Sequence, residues 1–191
     1  PASDTLEMAA KTLGIIGLGR IGGALCEKAQ LLFKRILAVD PYIPAERFSQ
    51  LGATPCDMSR LLAESDVISL HCNLTPETHN LINSAAFSRM RRRPILVNTA
   101  RGEVVDPMAL LEALQQDIIH SAGIDVFPEE PPGDDLSPLL SHPRVIATGH
   151  YAWYSVQSSR TLQQRAANNL LALLQGQDVE DELTAIEDQQ L

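Results

Sequence analysis

The sequence lacks the features of membrane, secreted and nucleic-acid-binding proteins. No segment approaches the run of roughly 20 apolar residues that a membrane-spanning helix needs, and the first residues form no signal-like stretch. The cysteines Cys26, Cys56 and Cys72 form no CxxC pair, which argues against a disulfide framework or a zinc site. With 24 acidic against 15 basic side chains, the net charge of −9 disfavours nucleic acid as a partner. We therefore expect a cytoplasmic protein with neither a membrane nor a nucleic-acid partner.

The chain has enough apolar side chain for one good core, since 45% of its 191 residues are hydrophobic. We assign residues 1–11 to a lead-in segment, 12–176 to a single domain and 177–191 to an acidic, solvated tail. The basic cluster at 89–93 is interpreted as a solvated loop rather than an anion site. Because Pro1 is not a natural translation start, we expect the chain to be a piece of a longer protein.

Apolar runs alternate with amphipathic stretches along the chain. Strands are predicted at residues 12–16, 36–39, 67–70, 94–97, 121–124 and 145–147, with a brief one at 52–55. Helices are predicted between them, and the longest covers about 154–175. The apolar stripe of the first helix comprises Ile21, Ala24, Leu25, Ala29 and Leu32, and that of the last comprises Leu162, Ala166, Leu170, Leu173 and Leu174. This alternation predicts an α/β fold with a Rossmann-type, doubly wound parallel sheet.

The glycines after the first strand predict a nucleotide-binding turn. Gly17 would allow a tight turn, Gly19 would let a pyrophosphate approach bare backbone, and Gly22 would let the helix pack closely on the strand. The second long strand ends in Asp40, 23 residues after Gly17. An acidic residue there can bind both hydroxyls of an adenosine ribose and repel a 2′-phosphate, which favours NAD over NADP. The alternative is that Asp40 only opens the Asp-Pro turn.

Polar residues stand just past the carboxyl ends of several strands, where a ligand would bind in such a sheet. Hydride transfer to a carbonyl needs a general acid with a pKa near neutral, a cation to polarise the oxygen and hold an acidic substrate, and a carboxylate behind the acid. His150, Arg101 and Glu130 are candidates for these three roles. Each alone is compatible with a solvated loop residue, but their recurrence at strand ends favours a site.

The ordered motifs resemble the cofactor-binding domain of the D-isomer-specific 2-hydroxyacid dehydrogenases. The resemblance covers about residues 12–176 and rests on the sequence segments 14–22, 39–41, 71–78, 98–102, 123–131 and 148–150. It implies NAD as the cofactor, a small 2-hydroxy or 2-keto acid as the substrate, and a homodimer. It also implies a second domain, beyond this chain, that closes over the substrate, so we expect the isolated chain to turn over poorly.

The resemblance assigns residues as follows. Arg101 would anchor the substrate, His150 would donate the proton, and Glu130 would partner the histidine because the family's glutamate stands five residues after the aspartate. That glutamate also argues against a formate dehydrogenase. The residues implied in cofactor binding are Gly17, Gly19, Arg20, Ile21, Gly22, Asp40, Cys72, Asn73, Thr78, Thr99, Ala100, Arg101, Asp125, His150 and Ala152.

Two departures from the family pattern qualify these assignments. Gly149 stands where the family usually has proline, which loosens the loop before His150. The segment 152–155 is similar to one found in corepressors and in some reductases, so an NAD-sensing interaction module is the alternative to an enzyme. Trp153 within it either shapes the substrate site or packs against the long helix.

Overall fold

The computed structural model describes residues 7–179, whose strands form one parallel sheet. The strands are β1 (Thr12–Ile16), β2 (Arg35–Val39), β3 (Thr54–Pro55), β4 (Val67–Leu70), β5 (Ile95–Asn98), β6 (Ser121–Ile124) and β7 (Val145–Ala147). Their order across the sheet is β3-β2-β1-β4-β5-β6-β7, and every pair is parallel. The predicted doubly wound α/β fold is therefore confirmed, and the strand order reverses between β1 and β4.

Helices follow most of the strands. They are α1 (Arg20–Ala29), α2 (Ala45–Gln50), α3 (Met58–Glu64), α4 (Ser84–Phe87), α5 (Pro107–Gln115), α6 (Ser137–Leu140) and α7 (Val156–Leu174). Short 3₁₀ turns occur at Met8–Ala10, Gly102–Val104 and Asp134–Leu136. Within residues 7–179, no helix combines the length and the apolar character that crossing a bilayer requires.

The chain divides into two compact units, Pro1–His150 and Tyr151–Leu191. The first unit contains the whole sheet with helices α1 to α6. The described part of the second unit contains α7, which ends before Gly176 at a φ of +66°. Glycine adopts this left-handed conformation without steric cost, so it stops the helix as the sequence predicts.

Strand β1 is covered on both sides, as the central strand of a doubly wound sheet must be. All five of its residues are buried. Leu13 and Ile15 belong to an apolar cluster with Cys26 of α1, whereas Ile16 belongs to a second cluster with Leu61 of α3. The apolar runs of the sequence are therefore buried between two layers of helices.

The buried face of α1 differs from the predicted stripe. Ile21 is 71% exposed and Leu32 lies beyond the helix, exposed. Ala29 of the predicted stripe is buried and Leu25 is partly buried, and the other buried residues of α1 are the small ones Gly22, Gly23 and Cys26. A helix that lies this close to a sheet has room only for small side chains at the contact, so the larger aliphatic residues point elsewhere. The stripe of α7 is also corrected, because no described residue of that helix is buried.

Aspartate side chains cap two of the helices. Asp57 accepts the amide of Arg60 at the start of α3, and Asp106 accepts the amides of Met108 and Ala109 at the start of α5. Each cap satisfies amides that have no partner within the helix. The helices that flank the site therefore begin at defined residues.

Candidate functional site

A cleft of about 490 Å³ lies at the point where the strand order reverses. Its walls come from the turn after β1, the end of β2 and the loop after β4. Residues that line it include Gly17, Gly19, Asp40, Pro41, Tyr42, Met58, His71, Cys72, Asn73, Thr75, Glu77, Thr78 and Leu81. In open parallel sheets this crevice is the place where ligands bind.

The three predicted glycines stand in different surroundings. Gly17 has a φ of +90°, and a Cβ there would lie 2.7 Å from the backbone of His71 and Cys72. A Cβ on Gly22 would lie 1.9 Å from the carbonyl oxygen of Gly17. A Cβ on Gly19 would instead enter open space, at the N-cap of α1. The turn is thus built by Gly17 and Gly22, and it leaves room for an anionic group beside Gly19, where the first-turn amides begin.

The carboxylate of Asp40 is held in place at the end of β2. Its Oδ2 accepts the amide of Leu18 at 2.8 Å and its Oδ1 accepts the amide of Tyr42 at 2.9 Å. Both bonds are charge-assisted and fix the side chain before any ligand arrives. No Lys or Arg is among the described residues that line the cleft, so this end of it favours hydroxyl donors over a phosphate.

The loop after β4 is ordered by its own hydrogen bonds. The hydroxyl of Thr78 donates to the carbonyl of Asn73 at 2.6 Å and accepts the amide of Thr75 at 2.7 Å. His71 Nε2 lies 2.9 Å from the hydroxyl of Ser69, and burial lowers the pKa of His71. Burial likewise raises the pKa of the Cys72 thiol. His71 and Cys72 are therefore uncharged at neutral pH, whereas hydrogen bonding to Thr75 lowers the pKa of Glu77 on the same wall.

The turn after β5 carries Arg101. The buried side chain of Asn98 accepts the amide of Ala100 at 3.0 Å and donates to the carbonyl of Arg101 at 2.9 Å. The guanidinium of Arg101 is exposed and donates to the carbonyl of Ala100 at 2.6 Å. A Cβ on Gly102 would lie only 1.9 Å from the carbonyl carbon of Phe127, so the Arg101 turn packs directly on the loop after β6.

That loop and the end of β7 bring Glu130 and His150 together. Nδ1 of His150 lies 2.9 Å from Oε2 of Glu130, while Oε1 of Glu130 accepts the amide of Phe127 at 3.2 Å. The hydrogen bond with His150, followed by that with Phe127, lowers the pKa of Glu130. Because an ionised carboxylate only accepts, Nδ1 carries the proton and Nε2 is left to react.

Asp125 links the same two segments. It is only 4% exposed, and its Oδ1 accepts the hydroxyl of Thr148 at 2.5 Å. Its backbone carbonyl accepts the amide of His150 at 2.8 Å. His150 itself has a φ of +61°, a conformation that non-glycine residues adopt only where their surroundings hold them.

The predicted cofactor residues fall into separate groups. Gly17, Gly19, Asp40, Cys72, Asn73 and Thr78 line the cleft. Arg20, Ile21 and Gly22 form the first turn of α1 beside it. Thr99, Ala100, Arg101, Asp125 and His150 follow β5, β6 and β7 on the same edge of the sheet. Ala152 belongs to the second unit, 151–191.

Sequence analysis assigned no role to Asn98, Gly102 or Thr148, although all three occur in the quoted motifs. The structure shows that they hold Arg101, its turn and Asp125, respectively. For Asn98 and Thr148, the signal in the sequence that could have indicated such a role is a short polar residue at the end of a strand. Only the close approach of Phe127 explains the glycine at 102.

Comparison with known proteins places this geometry in a family. Residues 1–152 match the family described as D-isomer specific 2-hydroxyacid dehydrogenase, NAD binding domain. A glyoxylate reductase from Korarchaeum cryptofilum is 42% identical over 168 residues, which are 87% of this chain and 50% of that protein. A D-lactate dehydrogenase from Escherichia coli K12 is 39% identical over 189 residues, covering 92% of this chain and 57% of that protein.

A solved structure shares the fold. The D-lactate dehydrogenase of Lactobacillus jensenii, crystallised with NAD⁺, superposes with a TM-score of 0.84 at 33% identity. The match covers 92% of this chain and 56% of the crystallised one. The chain thus spans about half the length of the relatives that it matches.

Proposed function

Since the chain belongs to the D-isomer-specific 2-hydroxyacid dehydrogenase family, as its NAD-binding domain, we propose that the whole protein transfers a hydride between NAD(H) and a small D-2-hydroxy or 2-keto acid. The cofactor is NAD, the molecule for which the matched family domain is described. The activity and the substrate class are proposed for a protein longer than this chain, because the relatives are about twice as long.

Residues of the cleft fit a dinucleotide. Open space beside Gly19 and the first turn of α1, with Arg20 and Ile21, would take the pyrophosphate. The fixed carboxylate of Asp40 would accept both hydroxyls of the adenosine ribose. The loop from Cys72 through Asn73 to Thr78 would form the wall of the cleft.

The nicotinamide half would lie over the ends of β5 to β7. Thr99 and Ala100 would border it, Asp125 would accept its carboxamide N–H, and Ala152 would follow beyond His150. Within the domain that we place at 12–176, Thr99, Ala100 and Asp125 share the carboxyl edge of the sheet with the cleft.

The reaction is assigned to three side chains. When bound, the cofactor supplies or accepts the hydride. Arg101 would hold the substrate carboxylate and stabilise the charge that develops on the carbonyl oxygen. His150 would give its Nε2 proton to that oxygen in reduction and take it back in oxidation. Glu130, ionised at neutral pH, would keep the proton of His150 on Nδ1 and stabilise the imidazolium.

The observation that carries the proposal is the 2.9 Å contact between His150 and Glu130, formed across 20 residues of sequence. Glu130 of this pair lies on the loop after β6, against which the Arg101 turn packs, and His150 follows β7. An imidazole held by an acid, with a guanidinium on a neighbouring turn at the same edge of the sheet, is the set that hydride transfer to a keto acid requires.

The test uses the full-length protein. We expect His150→Gln and Arg101→Met each to cut turnover of 2-keto acids by NADH at least 100-fold, in line with the loss of a general acid or a charge-stabilising donor. Binding of NADH, measured by its fluorescence, should persist. Unchanged turnover in either variant would reject the assigned roles.

The interaction-module hypothesis is not favoured, because the relatives described above are named as reductases and dehydrogenases. We further propose that the protein is a homodimer joined through this domain. Sedimentation equilibrium of the chain tests this, and a monomer at tens of micromolar would contradict it.

A further inference from the structure

The hydrogen bond between Thr148 and Asp125 takes no part in the proposed hydride or proton transfer. Thr148 follows β7 and is exposed, whereas Asp125 follows β6 and is buried. Their side chains meet at 2.5 Å across two neighbouring strands. This length is typical of a hydroxyl that donates to an ionised carboxylate.

An ionised carboxylate at the buried position of Asp125 costs desolvation free energy, which neighbouring hydrogen-bond donors must offset. Burial penalises the charged form, and a buried charge persists only where hydrogen-bond donors surround it. The ionised form of Asp125 also repels Glu130, whose pKa it tends to raise. The hydroxyl of Thr148 reduces this penalty and fixes which way Oδ1 points.

The main chain supports the same contact. The amide of Thr148 donates to the carbonyl of Ile124 at 2.9 Å, and the amide of His150 donates to the carbonyl of Asp125 at 2.8 Å. The segment 148–150 is thus attached to β6 by its backbone on both sides of Gly149. Because the backbone bonds already set the strand pairing, the side-chain bond is left to orient Asp125.

We propose that Thr148 is a positioning residue that orients the Asp125 carboxylate toward the nicotinamide carboxamide of the bound cofactor. The inference rests on the proposed function, in which Asp125 accepts the carboxamide N–H. A carboxylate serves that purpose only if one of its oxygens faces the ligand, and a donor fixed on Oδ1 sets the orientation of the group. Thr148 then contributes to recognition of the nicotinamide end alone.

The experiment compares NAD⁺ with ADP-ribose, which lacks the nicotinamide ring. Calorimetric titration of the 191-residue chain gives both affinities for the wild type, Thr148→Val and Thr148→Ser. Valine keeps the shape of threonine without the hydroxyl, and serine keeps the hydroxyl. Melting temperatures of all three establish that each variant is folded at the temperature of the titration. Thr148→Val should melt at a lower temperature, because it removes a donor from a buried carboxylate.

We expect Thr148→Val to weaken NAD⁺ binding about tenfold, the effect of losing one charge-assisted hydrogen bond. Its affinity for ADP-ribose should stay within about twofold of the wild type, since the adenosine and pyrophosphate contacts are untouched. Thr148→Ser should restore NAD⁺ binding to near the wild-type value. A role in folding alone would not separate the two ligands.

The other outcomes overturn the inference in distinguishable ways. Equal weakening of both ligands, or no weakening of either, would show that Thr148 does not act on the nicotinamide end. A wild type that binds both ligands equally well would refute the Asp125 contact while leaving the nucleotide cleft in place. A wild type that binds neither ligand would refute the proposed cofactor site, and this inference with it.

Discussion

His150 and Glu130 are joined by a hydrogen bond of 2.9 Å, and the second oxygen of Glu130 accepts the amide of Phe127. One carboxylate therefore fixes both the histidine and the loop that carries the acid. Such a pair has two consequences that can be separated. It orients the imidazole for proton transfer, and it makes the stability of the fold depend on the ionisation of Glu130.

The first prediction concerns the pH dependence of stability in Glu130→Gln. The pKa of Glu130 is lowered in the folded chain, so its carboxylate stabilises the fold fully above the unfolded value of about 4.3. This stabilisation is lost as the pH falls through the lowered folded pKa. The difference in unfolding free energy between wild type and variant should therefore shrink as the pH falls below about 4.

Urea unfolding at a series of pH values measures that difference. The matched control is Glu129→Gln, which removes the same charge one residue away, from an exposed side chain. If the control shows the same dependence on pH as Glu130→Gln, the effect comes from general charge and not from the contact with His150.

A second prediction concerns Asp40, whose two oxygens accept the amides of Leu18 and Tyr42. In Asp40→Asn one oxygen becomes an NH₂ group, which cannot accept, so one amide loses its partner. We expect a loss of stability of about 1–2 kcal/mol, and NADH binding weakened about tenfold with a smaller effect on NADPH.

Fluorescence titration with both cofactors, together with urea unfolding, checks this. Asp57→Asn is the control, because it removes the same charge at a helix cap where asparagine serves as well as aspartate. An unchanged ratio of NADH to NADPH affinity in Asp40→Asn would contradict the role of Asp40.

The glycine turn and the helix caps were predictable because each depends on a few neighbouring residues. Gly17 needs a positive φ, and Asp106 caps the helix that begins at the next residue, Pro107. The pattern of strands was equally readable, since buried parallel strands are apolar runs. These local and compositional rules are enough to specify the order of elements.

Contacts between distant residues could not be predicted in this way. Thr148 meets Asp125 only because β7 pairs with β6, with Ala147 opposite Ile124. The buried face of α1 also depends on how closely the helix approaches the sheet, which favours Cys26 and Ala29 over Leu25. Neither the pairing of β7 with β6 nor the distance between α1 and the sheet can be predicted from a short segment of sequence.

A third prediction separates binding from stability at the glycine turn. A Cβ on Gly19 would meet no atom within 4 Å, and the φ of Gly19, −62°, suits alanine. Gly19→Ala should therefore change the free energy of unfolding by less than about 0.5 kcal/mol. The added methyl group would occupy the space proposed for the pyrophosphate, so NADH binding should weaken at least tenfold.

Gly23→Ala is the control for this variant. Its Cβ would make ordinary contacts, 3.5 Å from the Leu18 carbonyl and the Leu51 side chain, inside α1. Alanine is the better helix former, so we expect stability to rise by about 0.5–1 kcal/mol with NADH binding retained. Normal NADH affinity in Gly19→Ala would place the pyrophosphate elsewhere.

The last prediction concerns Gly102, where the turn of Arg101 packs on the loop after β6. A Cβ there would lie 1.9 Å from the carbonyl carbon of Phe127 and 2.3 Å from its oxygen. Backbone atoms cannot move aside as a flexible side chain does, so Gly102→Ala must separate the two segments. We expect the free energy of unfolding to fall by about 1–3 kcal/mol, the range for overpacked sites, as measured by urea unfolding.

Separation of these segments also moves Arg101 away from the loop that carries Glu130, the hydrogen-bond partner of His150. In the full-length protein, turnover of 2-keto acids should therefore fall while NADH binding at the cleft is retained, since Gly17, Gly19 and Asp40 are untouched. Gly123→Ala is the control within β6, because its Cβ would approach only Val97, at 3.9 Å. If Gly102→Ala and Gly123→Ala behave alike in stability and turnover, the packing of the Arg101 turn on Phe127 does not determine where Arg101 lies.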